Sequence, residues 1–319
     1  MKPGIAVPAI RRQNKKSRNR GHIQDNISYF SMAAPAVLLV FIFSYLPMFG
    51  IILAFKNYKY DKGILGSEWV GLKNFEFFFK SNDAARITWN TLYLNFFFIF
   101  LGILAAVIVA LLLYEVKRRW RVKFFQTTMI FPHFLSMVIV AYVVYAFLNP
   151  SFGFVNGILE KCGREGVSWY TKPEPWPWIL IVVNIWKHFG MDCVVYYAAL
   201  MGINSEYYEA AEIDGANRLQ QIWYISLPAL VPVITILGIL AVGKIFRADF
   251  GLFYQVTMDS GALYPTTDVI DTYVFRALRQ MGDVGMSSAV GLFQSLVGFV
   301  LVLITNTIVK KIEPENALF

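Results

Sequence analysis

The chain has 319 residues, of which 57% are hydrophobic and only 16% charged, with a formal net charge of +8. An ordinary soluble domain carries about 25% charge, so the composition places this chain in a bilayer. Much of the positive excess lies in two clusters beside apolar runs, which is how topology signals are written; nucleic acid is excluded as a partner.

Residues 1–28 include the first cluster, Arg11, Arg12, Lys15, Lys16, Arg18 and Arg20. They are polar, short of large apolar side chains and assigned no fold of their own. From residue 29 to 319 the pattern is that of one membrane domain. A crossing helix needs about 20 apolar residues for roughly 30 Å of hydrocarbon, and six stretches qualify: Ala33–Leu53, Leu92–Tyr114, Phe124–Leu148, Trp178–Leu200, Ala229–Ile245 and Ala289–Val309. Only helices satisfy every backbone polar group at that thickness short of a closed barrel. The predicted fold class is therefore all-α integral membrane, with about six transmembrane helices. The first stretch is too long for a signal peptide and no small-residue cleavage pattern follows it, so it is expected to be retained.

The second basic cluster, Lys117, Arg118, Arg119, Arg121 and Lys123, sits between the second and third spans. Together the clusters predict a cytoplasmic amino terminus and, by parity over six spans, a cytoplasmic segment 202–227 and a cytoplasmic carboxyl tail. The loop after the first span opposes this mildly, since Lys56, Lys59, Lys62, Lys73, Lys80 and Arg86 would face outward, accompanied there by Asp61, Glu68, Glu76 and Asp83. Two external connections remain, Asn149–Pro177 and Asp249–Ser287. The first interleaves Pro173, Pro175 and Pro177 with Trp176 and Trp178, as expected of a rigid turn with indoles at the interface. Cys162 and Cys193 are too few and too far apart for a metal pair or a disulfide framework and are expected to be buried or inert.

The segment joining the fourth and fifth spans is the most informative. Asn204 or Ser205 can cap a short helix whose first turn carries Glu206, and Ala210 and Ala211 favour that helix. Gly215 can take the left-handed conformation that ends it, Asn217 can cap the next turn, and Pro228 marks the junction with the fifth span. Within this segment Glu209, Ala210, Ala211, Gly215, Ile225, Leu227 and Pro228 fit every fixed position of the pattern E-A-A-x3-G-x9-I-x-L-P. In this the chain resembles the permeases of binding-protein-dependent ABC importers.

The carboxyl half extends the likeness. Residues 249–257, 264–273 and 285–291 resemble the carbohydrate branch, and more narrowly its oligosaccharide or polysaccharide-fragment subgroup, which includes alginate-oligosaccharide importers. The Gly-Gly-Pro often found in that branch's external loop is replaced here by Asp259-Ser260-Gly261-Ala262-Leu263-Tyr264-Pro265. The resemblance implies a type I importer permease of a bacterial cytoplasmic membrane, spanning it several times with both termini inside. Residues Glu209–Gly215, Asp214 included, would form the coupling helix seated in a groove of the ATPase. Partners would be a second, different permease, two ATPase subunits, an extracytoplasmic solute-binding protein and membrane lipid.

No cofactor is expected on this chain, ATP and magnesium being held by the ATPase subunits. Gly238–Ile245 comes close to a phosphate-binding loop, but Ile245 replaces the magnesium-binding hydroxyl and the stretch lies inside an apolar span. Neither a zinc-protease motif nor a nucleophile elbow is present, so no catalytic or metal-ligating residue is predicted. The rival readings are an intramembrane enzyme built on His133 or His188, and a stand-alone channel or carrier, which would have no use for an ATPase-docking segment.

Ionisable residues inside spans face cavities or partners. Asn184, Lys187, His188 and Asp192 fall on one helical stripe of the fourth span, and Lys244, Arg247 and Asp249 follow one another at the end of the fifth. Lining of the translocation path by both stripes, whose basic excess suits an acidic or heavily hydroxylated sugar, stands beside Lys187–Asp192 and Arg247–Asp249 as structural ion pairs. Tyr196, Phe253 and Tyr254 are candidates for stacking on a sugar, with Tyr254 placed in the path.

Overall fold

A computed structural model of the protein describes residues 29–76, 80 and 82–318; the basic cluster within residues 1–28 lies outside them. The chain divides into two compact units, Met1–Ile52 and Leu53–Phe319. Helix α1 (Tyr29–Phe55), whose residues up to Ile52 belong to the first unit, begins as a regular helix, passes through a π turn at Phe41–Tyr45 and continues in 3₁₀ turns from Leu46. The change falls at Pro47, which has no N–H to give to the i−4 carbonyl, so the bonding pattern must shift.

The second unit holds the remaining spans. These are α2 (Asn82–Tyr114), α3 (Arg119–Phe134), α4 (Met137–Leu148), α6 (Trp176–Met201), α8 (Arg218–Val242) and α10 (Val284–Ile312), with the shorter α5 (Phe154–Lys161), α7 (Ser205–Ile213) and α9 (Ile270–Arg276) between them. Helices α2 and α6 pack along one another, burying Ala106, Ala110, Cys193 and Tyr196 with Leu230 of α8. Small residues at such contacts let two backbones approach in the absence of a strong hydrophobic drive between helices in lipid.

The third predicted span is not one helix. Helices α3 and α4 meet at a 98° bend across Leu135 and Ser136, so five helices among the described residues can cross a bilayer individually, and six spans result when the bent pair is one. Pro132 contributes to the break, and Ser136 restarts the chain by accepting from the Ile139 N–H. The fifth span also differs from expectation: helix ends at Val242, leaving Lys244 and Arg247 in irregular backbone, and at its other end the span runs unbroken from Arg218 through a π turn at Ile222–Ser226.

The all-α expectation has one local exception, β1 (Lys56–Asn57) paired antiparallel with β2 (Glu68–Trp69). The charges after the first span are largely partnered locally. Lys56 is buried and gives its ammonium to the carbonyls of Ile64 and Leu65, while Lys62, Lys80 and Arg86 pair with Glu68, Glu76 and Asp83. No ion pair among the described residues involves Lys117, Arg118, Arg119, Arg121 or Lys123. Of the cysteines, Cys193 is buried as expected, whereas Cys162 is exposed; both are free thiols.

Candidate functional site: a protruding elbow and an intramembrane polar cavity

The elbow between α6 and α8 takes the form its residues dictate. The Asn204 side chain accepts from the Glu206 N–H at 3.1 Å, and α7 ends at Gly215, whose φ of +81° only glycine adopts without strain. Asn217 and Gln220 then form a reciprocal capping box that starts α8. Across the turn Arg218 pairs with Glu212 at 3.0 Å, and the buried Gln221 accepts from Arg218. None of the α7 residues is buried; Glu209, Ala210, Asp214 and Gly215 are exposed and Ala211 is half-buried. At the tip Ile213 is 86% exposed, an apolar knob that the pattern of fixed positions did not single out.

Tyr208 anchors the elbow inward: its hydroxyl meets Ser226 Oγ at 2.9 Å and its ring packs on Tyr114 at the end of α2. Ile225, Leu227 and Pro228 lie where the π turn passes into the apolar part of α8. The ring contact also places the basic segment after Tyr114 at the same end of the unit as α7.

A cavity of about 740 Å³ opens between α2, α6 and the end of α8. One wall is the α6 stripe Asn184, His188 and Asp192, extended by Tyr196; the facing wall is Lys244, Arg247 and Asp249; Asn95 and Phe98 come from α2. Arg247 donates to Ser295 Oγ at 2.9 Å, and Asp249 accepts the Leu252 N–H. Lys244 and Asp192 have neither ion-pair nor hydrogen-bond partners among the described residues. The two anticipated ion pairs, Lys187 with Asp192 and Arg247 with Asp249, are absent among the described residues.

Two residues assigned to the path stand elsewhere. Lys187 is buried, its Nζ donating to the carbonyls of Pro132 at 3.4 Å, His133 at 3.2 Å and Leu135 at 2.5 Å. They belong to the last turn of α3 and the first linker residue; the Pro132 carbonyl also accepts the Leu135 N–H, and Lys187 adds a donor where the helical ladder runs out. Tyr254 stacks on Phe250 and meets Phe275 edge-on, away from the cavity, and Phe253 is core beside Phe98. Of the three stacking candidates only Tyr196 lines the cavity.

The residues that hold the second wall were not anticipated. Irregular backbone survives at membrane depth only where protein groups satisfy it. Asn95 donates to the carbonyls of Ile245 and Arg247 at 2.7 and 3.1 Å, Gln294 donates to that of Phe246 at 2.6 Å, and Asp271 accepts the Ala248 N–H at 2.8 Å. One turn away on α2, Asn90 donates to the carbonyls of Pro265 and Asp268, and Thr91 accepts the Ile270 N–H. Polar residues set into the apolar runs of α2 and α10 were the available signal. Behind this wall Arg276 bridges Asp268 at 2.6 Å and Asp259 at 3.1 Å and lies over the Tyr264 ring. Burial pushes the Asp268 carboxyl above the usual carboxylate range, against the pull of Arg276 and Thr272.

Nothing in this arrangement resembles a hydrolytic dyad. Neither His133 nor His188 hydrogen-bonds a serine among the described residues; His188 Nδ1 contacts the Asn184 carbonyl, and the buried His133 Nδ1 has no hydrogen-bond partner among them. A helical bundle with a polar cavity between its spans and a projecting, self-stapled elbow has the form of a membrane transport component. Residues 99–315 match the family described as binding-protein-dependent transport system inner membrane component, and the chain belongs to that family. It is 34% identical to the polygalacturonan/rhamnogalacturonan transport system permease protein YteP of Bacillus subtilis (strain 168), over 98% of this chain and 97% of that protein. Protein LplB of the same organism is 35% identical over 90% of both. A bacterial ABC transporter involved in the import of the acidic polysaccharide alginate contains a chain that superposes with a TM-score of 0.83 at 35% identity, covering 93% of this chain and 99% of that one.

Proposed function

We propose that this chain is one of two permease subunits of an ATP-driven importer for acidic oligosaccharides. The carrying observation is the cavity, in which Lys244 and Arg247 face the hydroxyl-binding groups Asn184, His188 and Asp192. Its 740 Å³ falls within the roughly 300–1,000 Å³ of sites that take drug-sized ligands, and a second permease would close it from the open side. Exposed cations beside hydrogen-bonding groups suit uronate rings, which present a carboxylate and several hydroxyls. The names of YteP and of the alginate transporter support the same class.

The remaining assignments belong to this reading. ATP and magnesium sit on two separate ATPase subunits, and α7 with Glu209, Ala210, Ala211, Asp214 and Gly215 seats in their groove, Ile213 leading. Ile225, Leu227 and Pro228 transmit the motion into α8. An extracytoplasmic binding protein delivers the sugar; in support, a second solved structure shows a bacterial alginate ABC transporter in complex with an alginate pentasaccharide-bound periplasmic protein, and its matching chain superposes with a TM-score of 0.82. The chain ends and α7 face the cytoplasm. Coupling requires that ATP and sugar each bind the two access states with different affinity.

Uptake by the full assembly in proteoliposomes tests the reading. Uronate oligosaccharides should stimulate ATP hydrolysis and enter, and neutral oligosaccharides of equal length should not. Arg247→Ala and Lys244→Ala should each weaken uronate uptake at least tenfold. Equal handling of neutral and acidic chains by the wild type would overturn the acidic assignment. Normal uptake after loss of the Glu209 carboxylate or after Gly215→Pro would remove the coupling role of α7.

A further inference from the structure

A lysine sealed inside a membrane unit without a carboxylate needs a reason, because an ammonium held from water is costly unless its donors are filled. At Lys187 they are filled by three backbone carbonyls, all from the last turn of α3 and the linker to α4. Cations are favoured at helix carboxyl ends, where unbonded carbonyls carry partial negative charge. Lys187 therefore stabilises the 98° break itself. A second grip lies one turn along α6: a Cβ at Gly190 would stand 1.9 Å from the Met129 carbonyl oxygen, so α6 and the α3 backbone touch there directly.

The break is joined to both walls of the cavity. On one side the His133 ring, from the turn that Lys187 holds, meets His188 edge-on at 5.8 Å, and His188 lines the cavity. On the other, α4 packs against Leu252, Phe253 and Val256, and Met137 at its first residue packs against the same cluster. That segment follows directly on Arg247 and Asp249.

We infer that Lys187 is a positioning residue for transport: by tying the end of α3 and the α3–α4 linker to α6, it sets the bend of the broken span and so the alignment of the cavity's two charged walls. An ammonium suits this task better than a fixed cap, since three rotatable donors can follow carbonyls as the bend changes. The role rests on the transport reading, but the bend can be read without any sugar.

The test uses spin labels at Phe124→Cys on α3 and Tyr142→Cys on α4, both exposed positions, in the complete assembly with Cys162 and Cys193 replaced. Lys187→Met, which keeps length and removes the donors, should shift or broaden the distance between labels. It should also lower the maximal uptake rate at least tenfold while basal ATP hydrolysis stays within about twofold. Lys187→Arg, which restores donors at the same place, should recover most of the wild-type distance and rate. If Lys187→Met fails to assemble, the Arg variant decides: a wild-type distance and at least a third of wild-type uptake support the role, and an altered distance or lower uptake overturns it. An unchanged distance or unchanged uptake in an assembled Lys187→Met overturns it as well. Failure of the acidic-sugar assignment would appear only in the choice of sugar and leave the distances as they are.

Discussion

The elbow at residues 204–228 and the segment 243–276, which carries one cavity wall, are both charged stretches at the ends of spans, yet they are held in opposite ways. Within the elbow, caps, the left-handed glycine and the Arg218–Glu212 pair all act between near neighbours, while Tyr208 packs on Tyr114 and Leu227 joins the α2–α6 core. The cavity wall is held from far away in sequence: Asn95 reaches Ile245 and Arg247 across 150 and 152 residues, and Thr91 reaches Ile270 across 179. A locally determined element can project from the protein and be gripped by a partner without losing its shape. A remotely determined one moves when the helices that hold it move, which is what a translocation pathway needs.

The largest expected effect lies in the wall. Arg276→Met would leave the buried Asp268 carboxylate without its cation, costing about 3–5 kcal/mol, while α7 keeps its docking. Because the folded state raises the Asp268 pKa, it binds the proton more tightly than the unfolded chain does. The deficit should shrink as pH falls through that raised value and grow as pH rises. Thermal unfolding of the purified assembly at pH 5 and pH 8 reads this directly; an equal deficit at both would refute it. Next, Asn95→Leu removes the donor shared by the Ile245 and Arg247 carbonyls, a loss of about 1–3 kcal/mol. Uptake should fall with ATPase co-purification unchanged, and a fall in co-purification would erase the distinction between the two regions.

Smaller effects are expected in the elbow. No atom stands within 4 Å of a Cβ placed on Gly215, so only its φ opposes substitution. Gly215→Ala should cost about 1–2 kcal/mol and weaken ATPase retention, whereas Gly215→Asn, which tolerates the left-handed region, should keep most of it. Equal behaviour of the two would mean that backbone conformation is not what the glycine supplies. Least of all, Tyr208→Phe deletes one hydrogen bond worth about 0.5–1.5 kcal/mol. It should loosen the coupling of hydrolysis to uptake without changing sugar choice, as measured by the ratio of ATP consumed to sugar accumulated.

The same division explains what was legible beforehand. Helix class, approximate spans and the elbow's caps follow from composition, apolar run length and residues spaced three or four apart, all local quantities. The cavity was half visible: Asn184, His188 and Asp192 share a stripe by helical period, and Lys244, Arg247 and Asp249 follow the span's end. Lys187 lies on that stripe too, yet a period cannot say that three carbonyls from residues more than fifty positions away will face its ammonium. Tyr254 failed for a similar reason, since Phe250 and Phe275 claim its faces only once the chain is packed.

By itself the amino-acid sequence determined that this protein is a helical membrane component with a capped, glycine-ended elbow between two spans, because hydrophobic length, capping and glycine conformation act along the chain. Only the tertiary structure decided that the third span breaks, that the break is tied by Lys187, and that in-span asparagines and a glutamine hold the cavity wall. In a bilayer every backbone carbonyl freed by a bend must find a donor, and which donor reaches it depends on how the helices pack.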